Sequence, residues 1–500
     1  MKSITDKWHE EADVIVVGYG GAGVAVAITA HDKEAEVLII EKAPKGEEGG
    51  NTRVSGNIWF NPDSPDKAET YFKAMCGEYT VPQKMIDVWV AEMCKNNDWV
   101  ESLGGEPSER KSLAIEFPDF PGIECVHVYV NGASVPQAGG DEALWRLFEN
   151  CIKERGIKVL FETPGIRLIQ HPKTNEILGV TARQNGKDIA IKARKAVALT
   201  CGGFENNQEM IRDYLTNLPY CYPKGTPHNT GDGIKMAMDV GADLWHMHNI
   251  AGPQYSFRLP GTDVVMYPRG MPGNSYIYVS GSAERFVFEQ AYLVQTPQGP
   301  RYPVKHGKIW RYGQWIPSPT PTPICCIFDE KTRTKGPLFG GRDYKIGWVE
   351  VMNLYDWSKD NSEEIEKGWI KRADTISELA KVLGLDPPQL GNTINKYNQY
   401  CEQGKDPDFN RDPNTLDPVN EPPYYGMPLV PNFINTQGGP RRNENAQVLN
   451  SFGEPIPRLY SAGELGSIHG FLYQGGGNIG ECLAFGRVAG RNAAAEKPWG

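Results

Sequence analysis

The first strong pattern in the chain is a solid apolar run, Asp13-Val-Ile-Val-Val17. A run this short, apolar at every position, predicts a parallel strand buried on both faces. It leads into Gly18-Tyr-Gly20-Gly-Ala-Gly23, then an alanine- and valine-rich helix to about Ala30, then a second strand, Glu36-Val-Leu-Ile-Ile-Glu41. Residues 63–115 read as helical, with Trp89, Val90, Met93, Trp99 and Val100 at the spacing of a core-facing stripe. Short strands follow at 156–161, 178–180 and 189–199, and Asn185-Gly186 marks a hairpin. Between 241 and 423 the chain turns rich in proline and aromatics, including the run Pro317 to Pro323, and reads as an inserted cap. Ala446 to Leu449 and Arg458 to Glu464 return to the strand-and-small-residue pattern of the N-terminal region, and a small-residue helix begins near Ile479. The expected fold is α/β, with one domain formed by 1–240 and 424–500 and interrupted by an α+β cap at 241–423.

The glycine turn carries chemistry because of where it stands. Between a buried strand and a helix, G-x-G-x-x-G is the dinucleotide fingerprint. Gly18 makes the tight turn, Gly20 lets the backbone reach a pyrophosphate, and Gly23 allows close helix–strand packing. Glu41, ending the second strand, is placed for the hydroxyls of an adenosine ribose. A second glycine cluster, Gly49-Gly50-Asn51-Thr52-Arg53-Val54-Ser55-Gly56, follows where the chain returns toward such a cofactor.

Bulk composition removes other classes. A net charge of −10 and the absence of any Lys/Arg run argue against nucleic acid. The apolar stretch from Val14 to Ala30 is broken by glycines and does not suit a membrane span, and Met1 to Ala12 lacks the pattern of a signal peptide, so a cytoplasmic protein is expected. The ten cysteines are scattered without metal-ligand spacing and read as small buried hydrophobes, and no metal site is expected.

Near the C-terminus, His469-Gly-Phe-Leu-Tyr473-Gln-Gly475-Gly-Gly-Asn478 runs into the last helix. Glycines allow close backbone approach, and a helix N-terminus presents unpaired N–H groups and a positive dipole end. With Tyr473 set among them, a phenol and a backbone N–H suit a carbonyl that becomes an enolate.

At these positions the chain resembles the FAD-dependent flavoproteins of the fumarate reductase and 3-ketosteroid dehydrogenase family. The resemblance rests on Gly18 to Gly23 with Glu41, Gly49 to Gly56, Thr200-Cys-Gly-Gly-Phe204, Asn229-Thr-Gly-Asp-Gly233, Thr436-Gln-Gly-Gly439, Ser461-Ala-Gly-Glu464 and the C-terminal loop. It implies a Rossmann-like FAD-binding domain, a parallel sheet with a β-meander, assembled from both ends of the chain and closed by the cap. It assigns cofactor contacts to Gly20, Gly21 and Ala22, to Glu41 and Lys42, and to Gly50, Asn51, Thr52, Ser55 and Gly56 in the second cluster. Further contacts fall on Gly202, Gly203 and Asp232, on Gly463 with Glu464 at the ribityl chain, and on Gly476, Asn478 and Ile479. Members with covalent flavin place a histidine in the second cluster. Asn51 and Thr52 stand there, which implies non-covalent FAD.

The C-terminal loop divides the family. Fumarate reductases resemble His-Gly-x-Asn-Arg-Leu-Gly-Gly-Asn, whose arginine clamps a carboxylate, and Tyr473 holds that arginine's place. Ketosteroid dehydrogenases resemble Tyr-Pro-Gly-Pro-Gly, and Tyr473-Gln-Gly-Gly-Gly477 keeps its tyrosine and last glycine. In the cap, Gly252 stands where fumarate reductases have a substrate histidine, and Arg285-Phe-Val-Phe-Glu289 matches a family segment that precedes a catalytic tyrosine. The implied activity is hydride exchange at a carbon–carbon bond beside the carbonyl of a steroid-like or alicyclic ketone or enone. Tyr473 and Gly477 would hold the oxygen, and Tyr292, helped by Tyr129, would act as base. His469 is read as a hydrogen-bonded residue behind the substrate contacts rather than as a proton donor. The rival is a fumarate-reductase-like enzyme acting on an unsaturated carboxylate, clamped by Arg269, Arg441 or Arg442. A flavoprotein that only relays electrons would not need an aromatic cap. With no second nucleotide fingerprint, the electron partner is unidentified.

Overall fold

A computed structural model describes residues 7–499 apart from 112–115, 135–140, 216, 217, 219, 268, 269, 290–293, 297, 298, 303 and 341–344. Its main sheet has eight strands. Glu10–Val17 lies between two parallel neighbours, pairing Ile15 with Leu38 of Val37–Ile40 on one side and with Val197 of Lys187–Leu199 on the other. Val14, Ile15 and Val16 are fully buried, as a continuous apolar run in a central parallel strand requires. Pro455–Ser461 adds a parallel strand beside Lys187–Leu199 and carries Gln447–Leu449 on its outer edge. Gly165–Gln170, Ile177–Gln184 and Lys187–Leu199 form the antiparallel meander. Asn185 and Gly186 turn its second hairpin with φ of 49° and 75°, the positive angles that favour Asn-Gly there.

Two helices of small residues pack against the main sheet. Gly21–His31 and the C-terminal helix Gly477–Ala495 pack closely because glycines meet backbone at the crossing. A methyl group on Gly486 would lie 2.5 Å from the Ala25 Cβ, and one on Gly490 would lie 2.6 Å from the Val26 carbonyl oxygen. The segment expected to be helical over 63–115 forms Pro65–Cys76, Gln83–Met93 and Asn96–Ser102. Its end departs from that expectation: Pro107–Glu109 is a strand pairing with Val128–Asn131.

A second sheet is built around Tyr424–Phe433 and Ile324–Asp329. Its alternating faces are both covered. Ile277, Cys325 and Ile327 face Leu379, Leu390 and Tyr397, whereas Tyr276, Cys326 and Phe328 join Phe257, Trp348 and Trp357. Tyr424–Phe433 pairs here, so the chain rejoins the main sheet after Phe433 and not at 424. Tyr222–Pro223 also pairs with this strand and brings the next residue, Lys224, to the junction of the two sheets. Among the described residues, no helix is long and apolar enough to cross a membrane and no metal-binding group of side chains occurs.

Candidate active site

The glycine turn lines a cavity at the end of the parallel sheet. Gly18 has φ +107°, and a Cβ on it would lie 2.6 Å from the Thr200 carbonyl oxygen. Gly23 sits directly over the Gly18 carbonyl, so the helix starts against the strand with no room for a side chain. At the far end of the cavity the Glu41 carboxylate accepts the Tyr19 N–H and the Ala43 N–H, both at 2.7 Å. Lys42 donates to Thr230 Oγ1 and Asp232 Oδ2, both at 2.6 Å, tying the second strand to the helix Asp232–Asp239. Gly20, Gly21, Ala22, Gly50 and Gly202 line the same cavity. Gly23, Gly203 and Gly463 instead take close-packing positions, Gly203 against Thr436 and Gly463 against Ala22.

A second cavity, of about 300 Å³, continues from the first, and Asn51, Thr52 and Glu464 line both. Asn51 Nδ2 bridges two buried carboxyl groups, donating to Glu205 Oε1 at 3.1 Å and Glu464 Oε2 at 3.2 Å. Burial, and then the neighbouring Glu205, push the Glu464 carboxyl well above the usual carboxylate range. Its Oε1 is buried with no hydrogen-bond partner among the described residues.

Val54, Ile58, Ile346 and Ile434 give the second cavity apolar walls, and Ser55, Gly56, Gly476, Asn478 and Ile479 also line it. Tyr473 reaches it from the C-terminal loop and is 7 % exposed. Burial raises its phenol well above 10, with Glu116 and Tyr267 adding to the rise. The phenol therefore keeps its proton and is a hydrogen-bond donor rather than a base. The Tyr473 ring packs 4.3 Å from that of His306, whose Nε2 lies 2.8 Å from Glu116 Oε2.

Several expected roles change in the folded chain. The Gly477 N–H, expected to face a substrate oxygen, donates to the Gln474 carbonyl at 2.7 Å, a turn bond made as the loop enters the helix. Tyr129, expected to help a base, stands on the small sheet with its ring stacked 6.3 Å from Trp59. Tyr292 and Arg269 lie outside the described residues. Arg442 is buried against Glu481 and the Leu465 carbonyl, and Arg441 pairs with Asp243 at 2.8 Å, so neither is a substrate clamp. His469, expected to be hydrogen-bonded, packs beside Phe72 and Trp89 with neither ring nitrogen partnered among the described residues, and burial lowers it to about 3 and keeps the ring neutral. Lys224, Tyr267, Glu116 and His306 line the second cavity, and no sequence motif points to them. They come from loops and a cap hairpin without periodicity or a fixed spacing.

Residues 13–479 match the family described as an FAD binding domain. The chain belongs to this family. It is 28 % identical to a fumarate reductase (cytochrome) from Shewanella frigidimarina, over 97 % of this chain and 77 % of that protein. It is also 28 % identical to a 3-oxosteroid 1-dehydrogenase from Mycolicibacterium smegmatis, over 97 % and 98 % of the two chains. In fold it is similar to a 3-ketosteroid delta1-dehydrogenase from Sterolibacterium denitrificans, with a TM-score of 0.75 and 22 % identity, covering 97 % of this chain and all of that one. The protein is an FAD-dependent oxidoreductase. Its residues fit that cofactor: the glycine turn leaves space where Cβ atoms would stand, and Glu464 Oε1 is buried with no hydrogen-bond partner found among the described residues.

Proposed function

We propose that this flavoenzyme acts on the carbon–carbon bond beside a carbonyl in a neutral, ring-shaped ketone or enone. The N-terminus of Gly21–His31 would hold the FAD pyrophosphate, Glu41 the adenosine ribose and Glu464 a ribityl hydroxyl, with Asn478 and Ile479 at the flavin end. Asn51 and Thr52 offer no histidine for a covalent link. When bound, FAD supplies hydride transfer in either direction.

The observation that carries the reading is Tyr473, a phenol on the wall of this cavity that is 7 % exposed and held in its protonated, donating form. A donor fixed in a dry site stabilises charge that grows on a carbonyl oxygen, and does so without reorganising water. The N–H groups of the first helical turn, at Asn478 and Ile479, add positive potential on the same side. A carboxylate substrate is less well served. Among the described residues no arginine lines this cavity, and Glu116 already engages His306.

The test pairs Tyr473→Phe with a substrate panel of cyclic ketones, enones and fumarate-like acids. Loss of about 10²-fold or more in ketone or enone turnover, with the flavin spectrum intact, is expected. Undiminished turnover in Tyr473→Phe, or a wild-type enzyme that turns over only the acids, would overturn the reading.

A further inference from the structure

Lysine is rarely buried without an acidic partner, because removing an ammonium from water is costly. Lys224 is 5 % exposed and lines the second cavity with Tyr473. Glu350 is the carboxylate that acts on its charge, and among the described residues no ion pair joins the two. The polar contact of Lys224 is the side-chain oxygen of Gln254, a neutral acceptor, and the Nζ stands 4.8 Å from the centre of the Tyr267 ring. The backbone on either side is fixed. The Lys224 N–H donates to the Phe433 carbonyl at 3.4 Å, and its own carbonyl accepts the Trp348 N–H at 2.8 Å. The amine is thus held in an apolar cavity beside a carbonyl-binding phenol, with no ion pair to occupy it.

We infer that Lys224 Nζ exchanges a proton with the substrate carbon next to the carbonyl. The inference rests on the ketone reading above and names the proton-transfer group that reading leaves open. In the oxidative direction the Cα–H bond breaks, the proton goes to the Nζ lone pair, and the C–H electron pair moves into the enolate, whose oxygen accepts from Tyr473. In the reductive direction the ammonium returns a proton to the same carbon. Both tasks need an amine that is charged part of the time. Burial lowers Lys224 to about 7, against the opposing pull of Glu350 and then Cys221. The other titratable groups on this cavity are Tyr267, Tyr473, His306, Glu116, Glu464 and Cys482. Glu464 shares Asn51 with Glu205, and burial pushes the Cys482 thiol up to about 12. Glu116 is taken up by His306 and the Gly475 N–H. Tyr473 keeps its proton. Lys224 is therefore an amine on this cavity wall able to change charge near neutrality.

The experiment follows deuterium from D₂O into the α position of a saturated cyclic ketone by the FAD-loaded enzyme, without an electron acceptor, from pH 5 to 9. Wild type is expected to exchange with an inflection near 7, and Lys224→Met to lose about 10²-fold or more while still shifting the flavin spectrum on ketone binding. If Lys224→Met sheds FAD, Lys224→Arg gives the same reading, since guanidinium keeps its proton across the assay range. Exchange as fast as wild type in either variant, or an unmoved inflection, would overturn the role of Lys224. A wild-type enzyme that neither exchanges nor turns over any ketone would instead sink the ketone reading, and this inference with it.

Discussion

His306 Nε2 lies 2.8 Å from Glu116 Oε2, and that same oxygen accepts the Gly475 N–H at 2.6 Å. One carboxylate thereby ties a cap hairpin to the loop that carries Tyr473. Burial alone would raise the Glu116 carboxyl, but His306, Lys305 and the Gly475 N–H outweigh it and bring it down to about 2. A carboxylate lowered on folding contributes stability above its unfolded value of about 4.3 and loses it as pH falls toward the folded value. Glu116→Gln should therefore cost on the order of 2 kcal/mol at pH 6 and much less at pH 3. Urea unfolding of both proteins at the two pH values checks this, and a difference that does not depend on pH would refute it.

The same substitution bears on substrate choice. With Glu116 neutral, His306 and Lys305 lose the carboxylate that occupies them. A substrate carboxylate then no longer meets the negative charge of Glu116 on the cavity wall. Glu116→Gln should bind fumarate-like acids several-fold more tightly than wild type, read from perturbation of the flavin spectrum. Unchanged acid affinity would show that Glu116 does not set the charge of the site.

The nucleotide half of this site was legible because its determinants are local. Gly18, Gly20 and Gly23 lie within six residues of one another between a strand and a helix, and their spacing states their geometry. Glu464 was legible through its motif, but its partner Glu205 was not, since Asn51 joins them across the fold. The substrate half is assembled from the junction at Lys224, the loop at Glu116 and the hairpin at His306, which no sequence period connects. Gly477 shows a different limit. The sequence puts its N–H at the start of the last helix, but the turn bond to the Gln474 carbonyl is a property of the folded loop.

Arg442 and Glu481 form a fully buried pair behind that loop, and Glu481 also accepts Ser467 Oγ at 2.6 Å and the Ile468 N–H at 2.9 Å. Removing one partner leaves a charge stranded away from water, a loss of about 3–5 kcal/mol. Arg442→Met should therefore lower the melting temperature sharply and weaken FAD retention. Arg441→Ala is the contrast, because its pair with Asp243 is half-exposed and worth about 0–1 kcal/mol. Equal effects of the two changes in thermal melts would contradict this account.

The crossing of Gly21–His31 with Gly477–Ala495 couples stability to cofactor binding. A methyl group at Gly486 would stand 2.5 Å from the Ala25 Cβ and 3.1 Å from the Ala22 carbonyl oxygen, so the helices must separate to admit it. The helix that would move begins at Gly21, where the pyrophosphate is proposed to sit. Gly486→Ala should cost about 1–3 kcal/mol in stability and weaken FAD affinity by roughly tenfold, measured by flavin release on dilution. Gly391 supplies the control, because it too lies inside a helix, Pro387–Gln403, but a Cβ there meets nothing within 4 Å. Gly391→Ala should raise stability by about 0.5–1 kcal/mol, through the lower chain entropy of the unfolded state, and leave FAD affinity unchanged. If Gly486→Ala also stabilises the protein, the helices have room to part and the tight crossing is not what positions the glycine turn.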